Sequence, residues 1–126
     1  MNKTFVLLIE DNAEIRKLLE ILVRRLGREP RSAASLQEAA LLLKTTPVRL
    51  AFVDYLLPDG VGLALASEIK ERNPGARVVL LSAGDESVLR DDVAKAGFDA
   101  YVAKPFTLEA IAREFALSAP AADASV

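Results

Sequence analysis

Three acids, a hydroxyl and a lysine each stand where an apolar run stops. Glu10-Asp11 follow FVLLI (5–9), Asp54 follows LAFV (50–53), Ser82 follows VVLL (78–81) and Lys104 follows DAYVA (99–103). Carboxylates held close together repel, and each then needs a proton or a cation. A hard divalent ion, Mg²⁺ or Mn²⁺, takes oxygen ligands, keeps several waters and uses one or two carboxylates plus a phosphate. Glu10, Asp11 and Asp54 can supply that set, with water bridging to whichever acid lies farther away. The second oxygen of Asp54 would then be available as a nucleophile, since carboxylates attack phosphoryl groups and form acyl phosphates. Charge on the transferred group needs donors. The metal serves one oxygen, Lys104 a second as a point charge, and Ser82 with nearby backbone N–H groups a third.

Each residue has a plainer explanation when taken singly. Asp11 or Asn12 can cap the helix that follows, with Glu14 completing the cap. Ser82 can satisfy a loop, and Lys104 can snorkel along the surface. Tyr101 can be strand packing. Asp59, within Pro58-Asp59-Gly60, reads as turn chemistry rather than as a ligand. Asp85, Glu86, Asp91 and Asp92 read as the start and solvated face of a helix, not a second metal site. The ordered combination at four strand ends is what carries the chemical reading.

The elements that must position these groups alternate along the chain. Strand 5–9 leads to helix 13–26, whose apolar positions Ile15, Leu18, Leu19, Leu22, Val23 and Leu26 fall at helical spacing before Gly27 stops it. The polar segment 28–33 contains a proline, so a strand there belongs at a sheet edge. Helix 35–44 carries Ser35 and Glu38 as a capping box. The apolar strand 50–53 suits a sheet covered on both faces. Helix 61–72, strand 78–81, helix 86–96, strand 99–103 and helix 107–117 follow, with Lys104-Pro105 breaking the last strand. Five βα units predict an α/β domain, a doubly wound parallel sheet with right-handed crossovers. A polar second strand at one edge favours the flavodoxin-like order 2-1-3-4-5, whose switch point lies between strands 1 and 3. The domain is expected over residues 1–118, with 119–126 (APAADASV) as a flexible tail.

Composition removes whole classes of function. Among 126 residues there is no cysteine and no histidine, which excludes disulfides, thiolate metal sites, Ser-His-Asp and Cys-His catalysis. Sixteen basic and eighteen acidic residues give a net charge of −2, and no basic block suggests direct nucleic-acid binding. The apolar start is too short for a signal peptide core, and no stretch approaches a membrane span. The expected setting is a reducing cytoplasm, without membrane contact.

The set Glu10-Asp11, Asp54, Ser82 and Lys104-Pro105, each at its strand end, resembles the receiver domain of two-component response regulators. Leu57-Pro58-Asp59-Gly60 and Ala96-Gly97-Phe98-Asp99-Ala100-Tyr101 look like that family too, and the likeness covers residues 4 to about 117. The resemblance implies that Asp54 takes a phosphoryl group from the phosphohistidine of a sensor histidine kinase or a phosphotransfer protein. It implies Mg²⁺ (or Mn²⁺) at Glu10, Asp11, Asp54 and the backbone carbonyl of Leu56, and phosphoryl contacts from Ser82 and Lys104. Pro58, Gly60 and Pro105 would shape the loops. Ser82 and Tyr101 would act as a switch coupled to the face made by helix 86–96, strand 99–103 and helix 107–117. The chain would catalyse only its own phosphorylation and dephosphorylation, and would signal to an effector protein or to a fused output domain. Family members that dimerise on that face use an acid just before the strand aromatic and a later arginine. Here those positions are Ala100 and Glu114, which favours a monomer.

Rival readings meet specific obstacles. A flavin or nucleotide binder cradles phosphate on backbone N–H groups, whereas the first loop here, Glu10-Asp11-Asn12, repels phosphate without a metal. A pseudo-receiver would be expected to lose an acid or the lysine, and none is lost. A metal-dependent phosphatase lacks an evident general acid or cap domain.

Overall fold

The computed structural model describes residues 3–83 and 93–118. The sequence-based expectations for Gly84, Asp85, Glu86, Asp91, Asp92, the first part of helix 86–96 and the tail 119–126 lie outside those residues; 93–95 are helical. Five parallel strands form the main sheet: β1 (Phe5–Ile9), β2 (Pro30–Ala33), β3 (Val48–Asp54), β4 (Arg77–Ser82) and β5 (Ala100–Ala103). They lie in the order β2-β1-β3-β4-β5, the doubly wound flavodoxin-like order anticipated from the sequence. Pro30 sits in the edge strand, where its missing N–H interrupts no inner ladder.

Alternation along the inner strands divides the core in two. Leu7, Ile9, Ala51, Val53, Val78 and Leu80 face one side, against Ala39 and Leu43 of α2 (Leu36–Leu43) and Ala66 and Ile69 of α3 (Leu65–Arg72). Val6, Leu8, Leu50, Phe52, Val79 and Leu81 face the other, against Leu19 and Val23 of α1 (Ala13–Arg25) and Ile111 of the last helix (Leu108–Leu117). The inner strands read as continuous apolar runs because both of their faces are covered. Phe52 and Phe115 stack with ring centroids 6.2 Å apart and tie the last helix to the middle strand.

Several boundaries differ from expectation, each for a local reason. β3 starts at Val48 because that residue pairs with Phe5. β4 gains Arg77, which pairs with Leu50, and Ser82, which pairs with Ala103. Helix 61–72 is shorter than the sequence pattern suggested: Gly60–Val61 instead pair antiparallel with Leu56–Leu57, a 3₁₀ turn spans Gly62–Ala64, and α3 begins at Leu65. β5 omits Asp99, whose carboxylate accepts hydrogen bonds from Val78 N (2.9 Å) and Lys70 Nζ (2.8 Å). Ser35 caps α2 by accepting from Glu38 N at 3.1 Å, while Glu38 Oε1 accepts from Ala34 N at 2.9 Å. That is a capping box displaced by one residue at its return bond.

Register places the chemistry. Ile9 pairs with Val53, Asp54 with Leu81, and Ser82 with Ala103. The residues that end or follow these strands therefore share one edge of the sheet, at its carboxyl end.

Candidate functional site

Glu10 is withdrawn from solvent immediately after β1, and Asp54 closes β3 with 7% of its surface exposed. Lys104, directly after β5, reaches across the edge and ion-pairs with both. Its Nζ lies 2.6 Å from Glu10 Oε1 and 3.1 Å from Asp54 Oδ1. Asp11 stands exposed at the rim, and Glu10, Asp11 and Asp54 each offer a carboxylate oxygen within 4.8 Å of the others. The helix-capping role weighed for Asp11 or Asn12 goes to Asn12, whose Oδ1 accepts from Ile15 N at 3.0 Å. Capping therefore makes no demand on the Asp11 carboxylate.

The loop that carries these acids is held by contacts the sequence did not advertise. Asn12 N donates to Glu10 Oε2 at 3.1 Å, and Arg16 Nη1 donates to the carbonyl of Glu10 at 2.7 Å and of Asp11 at 3.3 Å. Arg16 reads in the sequence as one more polar helix position; only the chain reversal after β1 brings it to those carbonyls.

Burial first, and then the neighbouring Glu10 carboxylate, raise the Asp54 pKa from 3.8 to about 7; Lys104 opposes the rise but does not cancel it. Burial works against the charge on Lys104, yet Glu10 and Asp54 outweigh it and push its pKa above the ordinary lysine value. A carboxyl group pushed up by burial and by a neighbouring carboxylate is one that a bound cation would ionise. The donor set is all oxygen, which fits a hard divalent ion.

Ser82, 2% exposed, ends β4 beside these groups, and its carbonyl accepts from Lys104 N at 2.8 Å. The peptide between Lys104 and Pro105 is cis. Tyr101 is half-buried on β5, packed against the α2–α3 side of the core, and borders a surface cavity of about 390 Å³ with Val93, Phe98 and Asp99. Ala100 is half-buried beside it. Glu114 is 6% exposed and pairs with Arg77 Nε at 2.7 Å, so it serves this chain's own interior.

Leu56, Pro58 and Gly60 lie in the hairpin loop after Asp54, with the Leu56 side chain 65% exposed and Gly60 at φ +152°. Two neighbours in that loop do more than their local sequence conveys. A Cβ on Gly62 would come within 2.1 Å of the Asp54 carbonyl oxygen, so only glycine lets the chain pass there. Asp59 does more than shape its turn: Oδ1 accepts from Leu36 N at 2.8 Å and Oδ2 from Gln37 N at 3.0 Å, at the start of α2. Those two amides hold its carboxyl below the ordinary aspartate range. The spacing Gly60-Val61-Gly62 was a visible signal for the first feature; nothing local signals the second.

A family model described as the response regulator receiver domain matches residues 6–116. The chain belongs to that family. Similar proteins include the response regulator PilR of Pseudomonas aeruginosa, 35% identical over 108 residues (86% of this chain, 24% of that one). The transcriptional regulatory protein PhoP of Escherichia coli is 32% identical over 106 residues, 84% of this chain and 48% of that one. This receiver domain thus spans less than half the length of the curated relatives it matches here. Among solved structures, a CheY-like receiver from Methanospirillum hungatei superposes with a TM-score of 0.83 at 22% identity, covering 92% of this chain and 93% of that one, and shows the shared fold. A Burkholderia pseudomallei response regulator, described with a phosphorylated aspartic acid, calcium ion and citrate, gives 0.82 at 28% identity over 88% of this chain and 65% of that one. TrrA of Thermotoga maritima, in complex with Mg(2+)-BeF, gives 0.78 at 27% identity over 90% and 97%. This is a receiver domain of a two-component response regulator.

Proposed function

We propose that Asp54 is the phosphoacceptor, and that Glu10, Asp11, Asp54 and the Leu56 carbonyl hold Mg²⁺ (or Mn²⁺) beside it. The observation that carries this reading is the Lys104 ammonium bridging Glu10 and Asp54 where three carboxylates converge. The related Burkholderia and Thermotoga proteins, with a phosphorylated aspartic acid and a bound Mg(2+)-BeF, support it.

The donor is the phosphohistidine of a sensor histidine kinase or a phosphotransfer protein. An Asp54 carboxylate oxygen forms the new bond to phosphorus as the phosphorus–nitrogen bond breaks, and the released imidazole takes up a proton. Glu10, Asp11 and Asp54 would hold the divalent cation, which would supply positive charge to keep Asp54 ionised and to offset charge on the phosphoryl group. Lys104 exchanges its carboxylate partner for a phosphoryl oxygen, and the Ser82 hydroxyl donates to another. Hydrolysis of the acyl phosphate resets the domain, and no external substrate is turned over.

Signal leaves through β5. Lys104 N is bonded to the Ser82 carbonyl, so displacement of either side chain toward phosphate bears on the strand that carries Tyr101. Ser82 and Tyr101 are therefore the switch, and the surface of β5 with its flanking helices is the output face for an effector protein or a fused output domain. With Ala100 and Glu114 both turned to this chain's own packing, that face is expected to act as a monomer. The cytoplasm is the compartment of such a kinase partner, and no described helix is long and apolar enough to cross a membrane.

Intact-mass spectrometry after incubation with Mg²⁺ and acetyl phosphate tests the assignment. Wild type is expected to gain one acid-labile phosphoryl group and Asp54→Asn none. Equal labelling of the two would refute it.

A further inference from the structure

The loop from Asp54 to Gly62 is pinned at two places. At its base, Leu56 pairs with Val61 and Leu57 with Gly60, while Gly62 N donates to the Tyr55 carbonyl at 2.7 Å. At its tip, the Asp59 carboxylate takes the Leu36 and Gln37 amides of α2. The first four amides of a helix have no partner within it. In α2, Ser35 satisfies the Glu38 amide through its hydroxyl at 3.1 Å, and its carbonyl accepts the first regular helical bond, from Ala39 N at 3.0 Å. The Leu36 and Gln37 amides are satisfied by Asp59, a residue 23 positions from Leu36. The loop cannot slide along α2 without uncovering two amides and a carboxylate together.

Leu56 is part of the base ladder, three residues before Asp59 at the tip. The residue is 65% exposed, so its backbone is fixed by the ladder and by the tip anchor rather than by side-chain packing. Mg²⁺ demands near-ideal octahedral geometry at short distance and tolerates little displacement of a ligand.

We propose that Asp59 is a positioning residue for the cation site: by docking the loop on α2 it holds the Leu56 carbonyl in place and so sets divalent-ion affinity. This rests on the metal reading given under Proposed function. Asparagine at position 59 keeps the shape but presents an amide N–H₂ where one backbone N–H needs an acceptor. Asp59→Asn is therefore expected to raise the Mg²⁺ Kd about three- to tenfold by isothermal titration calorimetry, and to speed hydrogen exchange at the Leu36 and Gln37 amides. Ser35→Ala weakens the same helix terminus without touching the loop and is expected to leave the Kd within about twofold of wild type. That control separates positioning from helix stability, because a Kd measured on fully folded protein does not respond to global stability. If circular dichroism shows Asp59→Asn unfolded at the assay temperature, Gly60→Ala carries the same expectation, since residue 60 sits at φ +152°, a conformation L side chains rarely adopt, and the turn that presents Asp59 must shift. Equal Mg²⁺ affinity of wild type and Asp59→Asn, or an equal loss in Ser35→Ala, overturns the positioning role alone. No Mg²⁺ binding by wild type overturns the metal reading and this inference with it.

Discussion

Removing the Asp54 charge should stabilise the cation-free protein, in a pH-dependent way. The folded-state pKa of Asp54 is raised from 3.8 to about 7, so the folded protein binds this proton more tightly than the unfolded chain does. A raised folded-state value contributes stability that is fully present below pH 3.8 and is lost as pH climbs through about 7. At about 1.4 kcal/mol per tenfold in proton affinity, the rise corresponds to about 4 kcal/mol. Asp54 shares its proton equilibrium with Glu10 and keeps some solvent contact, so about half, roughly 2 kcal/mol, is the expected effect. Lys104, raised above the ordinary lysine value, stays charged through this window and does not confuse it.

Urea denaturation followed by circular dichroism, in EDTA, provides the assay. Asp54→Asn is expected to exceed wild type by roughly 2 kcal/mol at pH 8 and to match it at about pH 3, below the unfolded-state value of 3.8, where the carboxyl is largely protonated in both states. With Mg²⁺ at ten times its Kd, wild type should recover about 1.4 kcal/mol and the variant almost none. An Asp54→Asn protein that is less stable than wild type at pH 8 without metal would refute the electrostatic reasoning. So would a gain that does not change with pH.

Lys104→Ala leaves Glu10 and Asp54 facing each other unneutralised and should cost roughly 2 kcal/mol at pH 7 without metal, much of it restored by Mg²⁺, in the same urea assay. It is also expected to accept phosphate, seen by intact mass, yet to elicit a reduced partner response, because the charge coupling phosphate to β5 is gone. Gly62→Ala drives a methyl into the Asp54 carbonyl and should lower stability by roughly 2 kcal/mol or more, read from thermal melts. Glu114→Gln breaks the interior pair with Arg77 and should cost on the order of 1–2 kcal/mol by urea denaturation.

Patterns that are local in the chain gave dependable readings. Apolar runs bounded by turn chemistry located four of the five sheet strands, the polar segment 28–33 read as an edge strand from its place in the βα alternation, and helical periodicity with Ser35, Gly27 and Pro105 placed most element ends to within a residue or two. The acids, serine and lysine could be assembled into one site because parallel βα topology puts every strand's carboxyl end on one edge. Legibility failed where a residue's partner is distant. The pattern carried a helix back to residue 61, since periodicity does not register that Gly62 must pass against the Asp54 carbonyl. Asp59 read as an ordinary turn acid because its partners, Leu36 and Gln37, lie on another element. Glu114 read only as a departure from the dimerising pattern, whereas in the structure it is buried and pairs with Arg77.

The sequence by itself determined which groups are available, the order of strands and helices, and hence which strand ends could share an edge. Backbone propensity and hydrophobic period act over a few residues, and a single chain displays them directly. Only the tertiary structure decided that Lys104 spans Glu10 and Asp54, that Asn12 rather than Asp11 caps α1, and that α2 grips the loop after Asp54 through Asp59. Hydrogen bonds and charge pairs are fixed by distances of about 3 Å. No spacing along the chain encodes such distances until register and packing have brought the elements together.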